Sequence, residues 1–157
     1  ANVDRKREDW PLGLTDIDLF QDLEPDALAK IERCMSELSF DAGERVFSQG
    51  DQGDEIFLIR RGCVRVLLNI VGGKPHHLAA FRRGDFFGEL AFLDQEERSA
   101  DADAKVATDL YVFSRARFAD RAGDDPALGH LLFSRLACAI AHRLRQTDAE
   151  LRALEER

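Results

Sequence analysis

VRVLLNIVGGKPHHLAAF, Val64 to Phe81, sets a Gly72-Gly73 pair between two runs rich in aliphatic and aromatic residues. A double glycine between such runs is a hairpin signal. The pattern repeats outward. Between Phe40 and Phe113, glycines stand at 43, 50, 53, 62, 72, 73, 84 and 88, separating the short segments RVF, EIFLI, CVRVLL, HHLAAF and LYVF. Strands at this rhythm predict a sandwich or barrel. The expected fold class is α+β: an antiparallel β-roll or jelly-roll barrel over about 40–113, with an N-terminal helix before it and a long C-terminal helix after it.

The flanks carry helical signals. From Pro25 to Leu38, the apolar residues Leu28, Ile31, Met35 and Leu38 recur at helical spacing, and Pro25 suits a first turn. This predicts a short amphipathic helix across the whole stretch. Residues 1–14, with mixed charges around Trp10, Pro11 and Gly13, read as a linker or N-terminal arm, leaving 15–157 as the domain. At the other end, Asp125 is a good N-cap and Pro126 fits the first helical position of a helix over about 125–155. Leu128, Leu132, Leu136 and Ile140 form one stripe. Phe133, Ala137, Ile140, Leu144, Thr147, Leu151 and Leu154 form a heptad seam, the kind that pairs helices of two copies. Both stripes could pack on the β domain alone, but Leu144 to Arg157 is too charged and too long for that. The reading is therefore a helix that touches the barrel first and a partner copy later, a homodimer through this helix.

Bulk properties narrow the function. The chain has 157 residues, 45% hydrophobic and 33% charged, with a formal net charge of −8. That charge argues against general binding to nucleic acid or anionic membrane, which needs a basic surface. The longest apolar run, residues 136–141, is far too short to span a bilayer. No signal-peptide-like start is present, and the first residue is not methionine, which suggests a fragment or a processed start. Cys34, Cys63 and Cys138 are scattered and odd in number, so they read as small buried hydrophobes in a reducing, cytoplasmic setting. His76-His77 does not fit a metal-binding spacing, and alternation would turn only one of the pair inward. No serine or cysteine has a base partner at motif spacing, so no enzyme is expected and neither metal nor catalytic cofactor.

The chemistry concentrates in FFGELAFLDQEERSA, Phe86 to Ala100, where Glu89 and Arg98 stand nine residues apart among small residues. A glycine opening a short helical turn lets backbone N–H groups approach an anion, and arginine grips two phosphate oxygens at once. Glutamate suits a hydroxyl instead. A phosphate beside a sugar hydroxyl would supply both partners, but an internal Glu–Arg ion pair on a barrel rim has the same spacing. The residues alone leave both readings open.

The stretch resembles the phosphate-binding cassette of the cyclic nucleotide-binding domain family, the domain of catabolite activators and protein-kinase-A regulatory subunits: F-G-E-L-A, a spacer, then R-S-A. Upstream, AGERVFSQGDQGDEIFLIRRGCVRV is similar to that family's G-E-x-x-x-x-Q-G-D-x-x-D…G-x-V pattern, and IAHRLRQTDAEL is similar to the C-helix of dimeric activators. The resemblance covers about residues 20–155. It implies that Glu89 binds the ribose 2′-OH. Arg98 would pair with the cyclic phosphate, helped by Gly88, by backbone N–H groups around Leu90, Ala91 and Ala100, and by Ser99. It further implies that Val66 and Leu78 wall the base and that Thr147 reaches the purine, favouring cAMP over cGMP as the regulatory ligand.

Three departures stand out. Glu97 replaces a common proline, Asp101-Ala102 replace a hydroxyl residue and valine, and Asp148 replaces a small hydroxyl residue beside Thr147. A carboxylate at 101 would oppose a phosphate unless it faces solvent or pairs with a base. The alternative is therefore a non-binding member that serves as a dimerisation or interaction domain. The resemblance implies a sensor whose C-terminal helix moves on binding and signals to an attached or partner effector. No helix-turn-helix or basic patch follows the helix, so no nucleic-acid contact is expected within this chain. HHLAAF…GDFFGELAFLD…RSADA is similar to domains appended C-terminally to bacterial SulP-type anion transporters or to metabolic enzymes, and the first of these would tether the module to a membrane protein.

Overall fold

The structure, a computed structural model, describes residues 11–156. The described residues form two units, divided between Arg121 and Ala122. The first holds eight antiparallel strands among the described residues: β1 Met35–Phe40, β2 Arg45–Phe47, β3 Glu55–Arg61, β4 Cys63–Leu68, β5 His76–Arg82, β6 Phe86–Phe87, β7 Asp101–Ala104 and β8 Thr108–Ser114. They build two four-stranded sheets, ordered β1-β8-β3-β6 and β2-β7-β4-β5. Three α-helices accompany them, α1 Pro25–Glu32, α2 Glu89–Asp94 and α3 Arg115–Ala122, with two short 3-10 helices, Leu14–Asp16 and Asp18–Phe20, ahead of α1. This is the antiparallel β-roll with an N-terminal helix that the glycine rhythm predicts. The long C-terminal helix is α4, Pro126–Glu155, in the second unit.

Alternation along β3 explains how the sheets are covered. Phe57 and Ile59 face the interior of the roll, where they cluster with Val64, Phe87, Ala102, Leu110 and Val112. The intervening Ile56 and Leu58 are equally buried, so the opposite face of this sheet is covered too. Phe92 of α2 and Phe118 of α3 pack on Phe113 of β8 there, with ring centroids 5.6 and 5.5 Å away. Helices on one face and the second sheet on the other give three layers.

Two local readings are corrected. The helix read over Pro25–Leu38 stops at Glu32, and Met35 and Leu38 lie on β1, paired with Phe113 and Leu110 of β8. Pairing with β8, whose partner residues lie 68 to 78 positions further on, overrides the weak local preference for helix. The Gly72-Gly73 hairpin exists, but its loop spans residues 69–75, with Gly73 N donating to the Ile70 carbonyl at 3.1 Å. The register slips between Val66↔Ala79 and Leu67↔His77, leaving Leu78 as the extra residue of a bulge. His76 and His77 are both exposed, because this far end of an edge strand runs beyond the core.

Cys34 and Cys63 are buried, whereas Cys138 on α4 is exposed, contrary to the reading of all three as buried. Its place on a long helix with few buried residues explains this. Burial pushes the Cys34 thiol up, against the pull of Arg121 and Arg117. Of the linker reading for 1–14, residues 1–10 lie outside the described part. Leu12 exchanges hydrogen bonds with Arg60 (its N to the Arg60 carbonyl at 3.0 Å, its carbonyl from Arg60 Nε at 2.9 Å), and Leu14 is buried.

Asp109 of β8 links three strands. It accepts from Ser39 Oγ of β1 at 2.6 Å and pairs with Arg61 of β3 at 2.5 Å. The Ser39 hydroxyl above all holds its carboxyl below the usual carboxylate value, with burial opposing it and Arg61 adding to the downward pull. A depressed carboxylate stabilises the fold above its unfolded pKa of about 3.9, and this contribution disappears as pH falls through the lower folded value. Asp109→Asn should therefore melt below wild type at pH 6 and match it by about pH 2. A melting difference that stays constant across that range would refute the assignment.

Candidate functional site

Phe86-Phe87 forms β6, pairing with β3 through Leu58↔Phe86 and Phe57↔Phe87. Gly88 follows as the N-cap of α2 with φ +78°, a left-handed conformation that a side chain strains to adopt. A Cβ there would sit 2.9 Å from Arg98 Nη1 and 3.1 Å from the Phe57 ring, so glycine also leaves room for the guanidinium.

Arg98 is 5% exposed. Its Nη1 donates to the Gly88 carbonyl at 2.9 Å, and its Nη2 donates to the Glu55 carbonyl at 2.9 Å and to Glu55 Oε2 at 3.0 Å. The guanidinium lies over the Phe47 ring at 4.5 Å and near Phe57 at 5.4 Å. Burial pulls its pKa down, with Glu55 and then Asp54 and Asp51 opposing. Its backbone is clamped as well: Arg98 N donates to the Asp51 carbonyl at 2.9 Å, and Gly50 N donates to the Arg98 carbonyl at 2.8 Å. A guanidinium has five N–H donors, of which three are engaged here. A buried cation with donors to spare is stabilised by an anion.

Arg98 lines a cavity of about 220 Å³. Gly88, Glu89, Leu90, Ala91, Ser99 and Ala100 line it from the same chain stretch, and Val66 and Leu78 face it from β4 and β5. Nine of the ten residues singled out in the sequence thus share one cavity. Thr147 is described within the second unit, exposed on α4, with its hydroxyl donating to the Arg143 carbonyl at 3.1 Å. Sequence reasoning missed Phe47, Ala79, Phe81 and Phe87, which supply much of the apolar wall. Their signal was weak, since isolated aromatics on strands read simply as core. Phe87 does both jobs, packing against Phe57 at 5.1 Å and Phe81 at 6.1 Å.

Two of the three departures, Asp101 and Glu97, lie outside the cavity lining. Asp101 is 3% exposed and outside the lining. Its Oδ1 accepts from Gln49 N at 2.7 Å, and its Oδ2 accepts from Asn69 Nδ2 and pairs with Arg45 at 3.2 Å. The carboxylate that could have opposed a phosphate is therefore neutralised by a base and two further donors. Glu97 is exposed and accepts from Gln52 at 3.3 Å. Among the described residues, no group of three or more His, Cys, Asp or Glu side chains could hold a metal ion. Among them also, no helix is long and apolar enough to cross a membrane.

A family model described as "Cyclic nucleotide-binding domain" matches residues 37–124. The chain is 33% identical over 133 residues to the Cyclic AMP receptor protein of Thermus thermophilus, covering 85% of this chain and 60% of that protein. It is 31% identical over 114 residues to a cAMP-dependent protein kinase regulatory subunit of Emericella nidulans, covering 73% of this chain and 27% of that one. The solved structure of a cyclic nucleotide-binding domain from Methylobacillus flagellatus superposes with a TM-score of 0.77 at 26% identity, covering 87% and 76% of the two chains. The chain thus spans less than two thirds of either curated relative. A model matching more than half of the chain, on the segment that builds both sheets and the cavity, settles the kinship: the chain belongs to the cyclic nucleotide-binding domain family.

Proposed function

We propose that this domain binds a cyclic mononucleotide, cAMP in preference to cGMP, as a cytoplasmic regulatory module without catalysis of its own. The buried Arg98 guanidinium at the wall of a mostly apolar cavity is the observation that carries the reading. In the proposed complex Arg98 holds the cyclic phosphate, with Ser99 and the backbone N–H groups around Leu90, Ala91 and Ala100 beside it. Glu89 takes the ribose 2′-OH, while Val66 and Leu78 flank the base. Thr147 contributes a hydroxyl suited to the purine, and the curated relatives named above carry cAMP in their names. The domain occupies residues 15–157. Ligand binding selects one arrangement of α4, and this change is the output. The exposed Leu144, Leu151 and Leu154 of the heptad seam support a second copy as the partner of α4. The effector is attached or separate, such as a membrane anion transporter.

Wild-type protein with cAMP, cGMP and AMP provides the test. At a ligand concentration of 100 times Kd, a bound native state gains about 2.7 kcal/mol. For a chain of this size that is a rise in Tm of roughly 5–10 °C. We expect the rise with cAMP, a smaller one with cGMP at equal concentration, and none with AMP. No shift with either cyclic nucleotide would assign the domain to the non-binding members instead.

A further inference from the structure

The carboxylate of Asp101 stands where three elements meet, two of which contribute residues to the cavity wall. One is the turn at 48–51, which holds the Arg98 backbone through Gly50 N and the Asp51 carbonyl and is itself tied to Asp101 through Gln49 N. The second is β2, whose Arg45 pairs with Asp101 and, with its Nε, with Asp103. The third is the β4–β5 hairpin, whose Asn69 is the first residue past the end of β4 and donates to Asp101 Oδ2. Strand pairing between β4 and β7 ends at Leu67↔Asp101, so beyond that point the Asn69 contact takes over as the tie between hairpin and β7. The cavity residues Val66, three positions before Asn69, and Leu78, on β5 opposite Val66 and Leu67, sit on this hairpin.

We propose that Asp101, through Asn69, is a positioning residue that sets the distance between the phosphate anchor at Arg98 and the base wall at Val66 and Leu78. This inference rests on the cyclic nucleotide reading above. Asp101 and Arg98 belong to one short stretch, so a hairpin tied to Asp101 is held in register with the anchor. A ligand spanning both ends of the cavity depends on that register, whereas a ligand reaching only the anchor does not. Asp101 itself touches no ligand. The acid that departs from the family pattern thus contributes to base recognition from outside the cavity.

Asn69→Ala separates this role from general stability, because it leaves the Gln49 and Arg45 contacts of Asp101 in place. Calorimetry should show cAMP affinity falling about 5- to 10-fold, the scale of one charge-assisted hydrogen bond partly expressed in binding. Affinity for the ribose 3′,5′-cyclic phosphate that lacks a base should stay within about twofold. Asn69→Asp places two carboxylates together and should weaken cAMP binding more, by roughly 20-fold or beyond. The exchange Asp101→Asn with Asn69→Asp restores a donor at 101 facing an acceptor at 69 and moves the carboxylate that serves Arg45 to residue 69, so cAMP affinity should recover from the Asn69→Asp level to within about tenfold of wild type. Hydrogen exchange at the hairpin amides serves as a second reading, with faster exchange expected in both single variants and protection returning in the exchanged pair. Unchanged cAMP affinity in both single variants would overturn the proposal. So would equal losses for the nucleotide and the base-free ligand in Asn69→Ala, or failure of the exchanged pair to recover. Wild type that binds neither ligand would overturn the functional reading and this inference together, whereas wild type that binds while Asn69→Ala matches it would overturn this inference alone.

Discussion

Leucine in place of Arg98 is expected to weaken cAMP binding by about 2–5 kcal/mol, a loss of roughly 30- to 4,000-fold. The reasoning starts from burial. A guanidinium at 5% exposure has lost most of its hydration, and Glu55 with two carbonyls compensates only part of its donor capacity. A phosphate supplies the remaining acceptors in the planar, bidentate arrangement that arginine fits best. Leucine fills similar space against Phe47 and Phe57 but offers no donor, and it leaves the Glu55 carboxylate without its Arg98 partner close to the phosphate site. Both effects disfavour an anion. Arg98→Lys keeps the charge without the fork and should fall between the two. Because the Gly88 and Glu55 carbonyls also lose a donor, melting of each variant must be recorded beside its Kd. A folded Arg98→Leu variant that binds cAMP within threefold of wild type would remove Arg98 from the site.

The second large effect is on folding. Gly62→Ala is expected to destabilise the protein by about 3–5 kcal/mol, read as a lower urea midpoint. Gly62 joins β3 to β4 with φ +103°, where any Cβ is strained. The added methyl would also lie 2.4 Å from Thr108 Oγ1 and 2.6 Å from the Ala107 carbonyl, too close for either to remain in place. Thr108 has nowhere to retreat. It is 2% exposed, its hydroxyl donates to the Val106 carbonyl at 2.8 Å, and its oxygen accepts from Cys63 N at 3.3 Å. Relief of the clash thus breaks buried hydrogen bonds between the two sheets' connecting strands. A midpoint within experimental error of wild type would show that this junction yields more easily than its packing indicates.

The legible parts of the molecule were those whose information is local. The glycines, the strand segments between them and the cap at Asp125, whose side chain accepts from Leu128 N at 3.0 Å, each act over a few residues. The cassette was legible for the same reason: seven of the cavity residues come from Gly88–Ala100. Failures came where distant residues decide. Met35 and Leu38 satisfy helical spacing by coincidence, and only β8 reveals them as a strand. Asp101 looked like an obstacle because its partners Arg45, Gln49 and Asn69 lie 56, 52 and 32 positions earlier in the chain. Phe47, Phe81 and Phe87 were recognisable as core but not as wall, since one aromatic ring serves both purposes when a cavity abuts a core.

The slipped register at Leu78 has a practical consequence for anyone altering ligand preference. Along a regular strand only every second position would face the cavity, yet Leu78 and its immediate neighbour Ala79 both line it. A combinatorial library that followed strand alternation would randomise one of them and leave the other constant, so that no combination of the two would be sampled. Covering 78 and 79 jointly, with the loop at 69–75 left intact, samples a contiguous two-residue ledge.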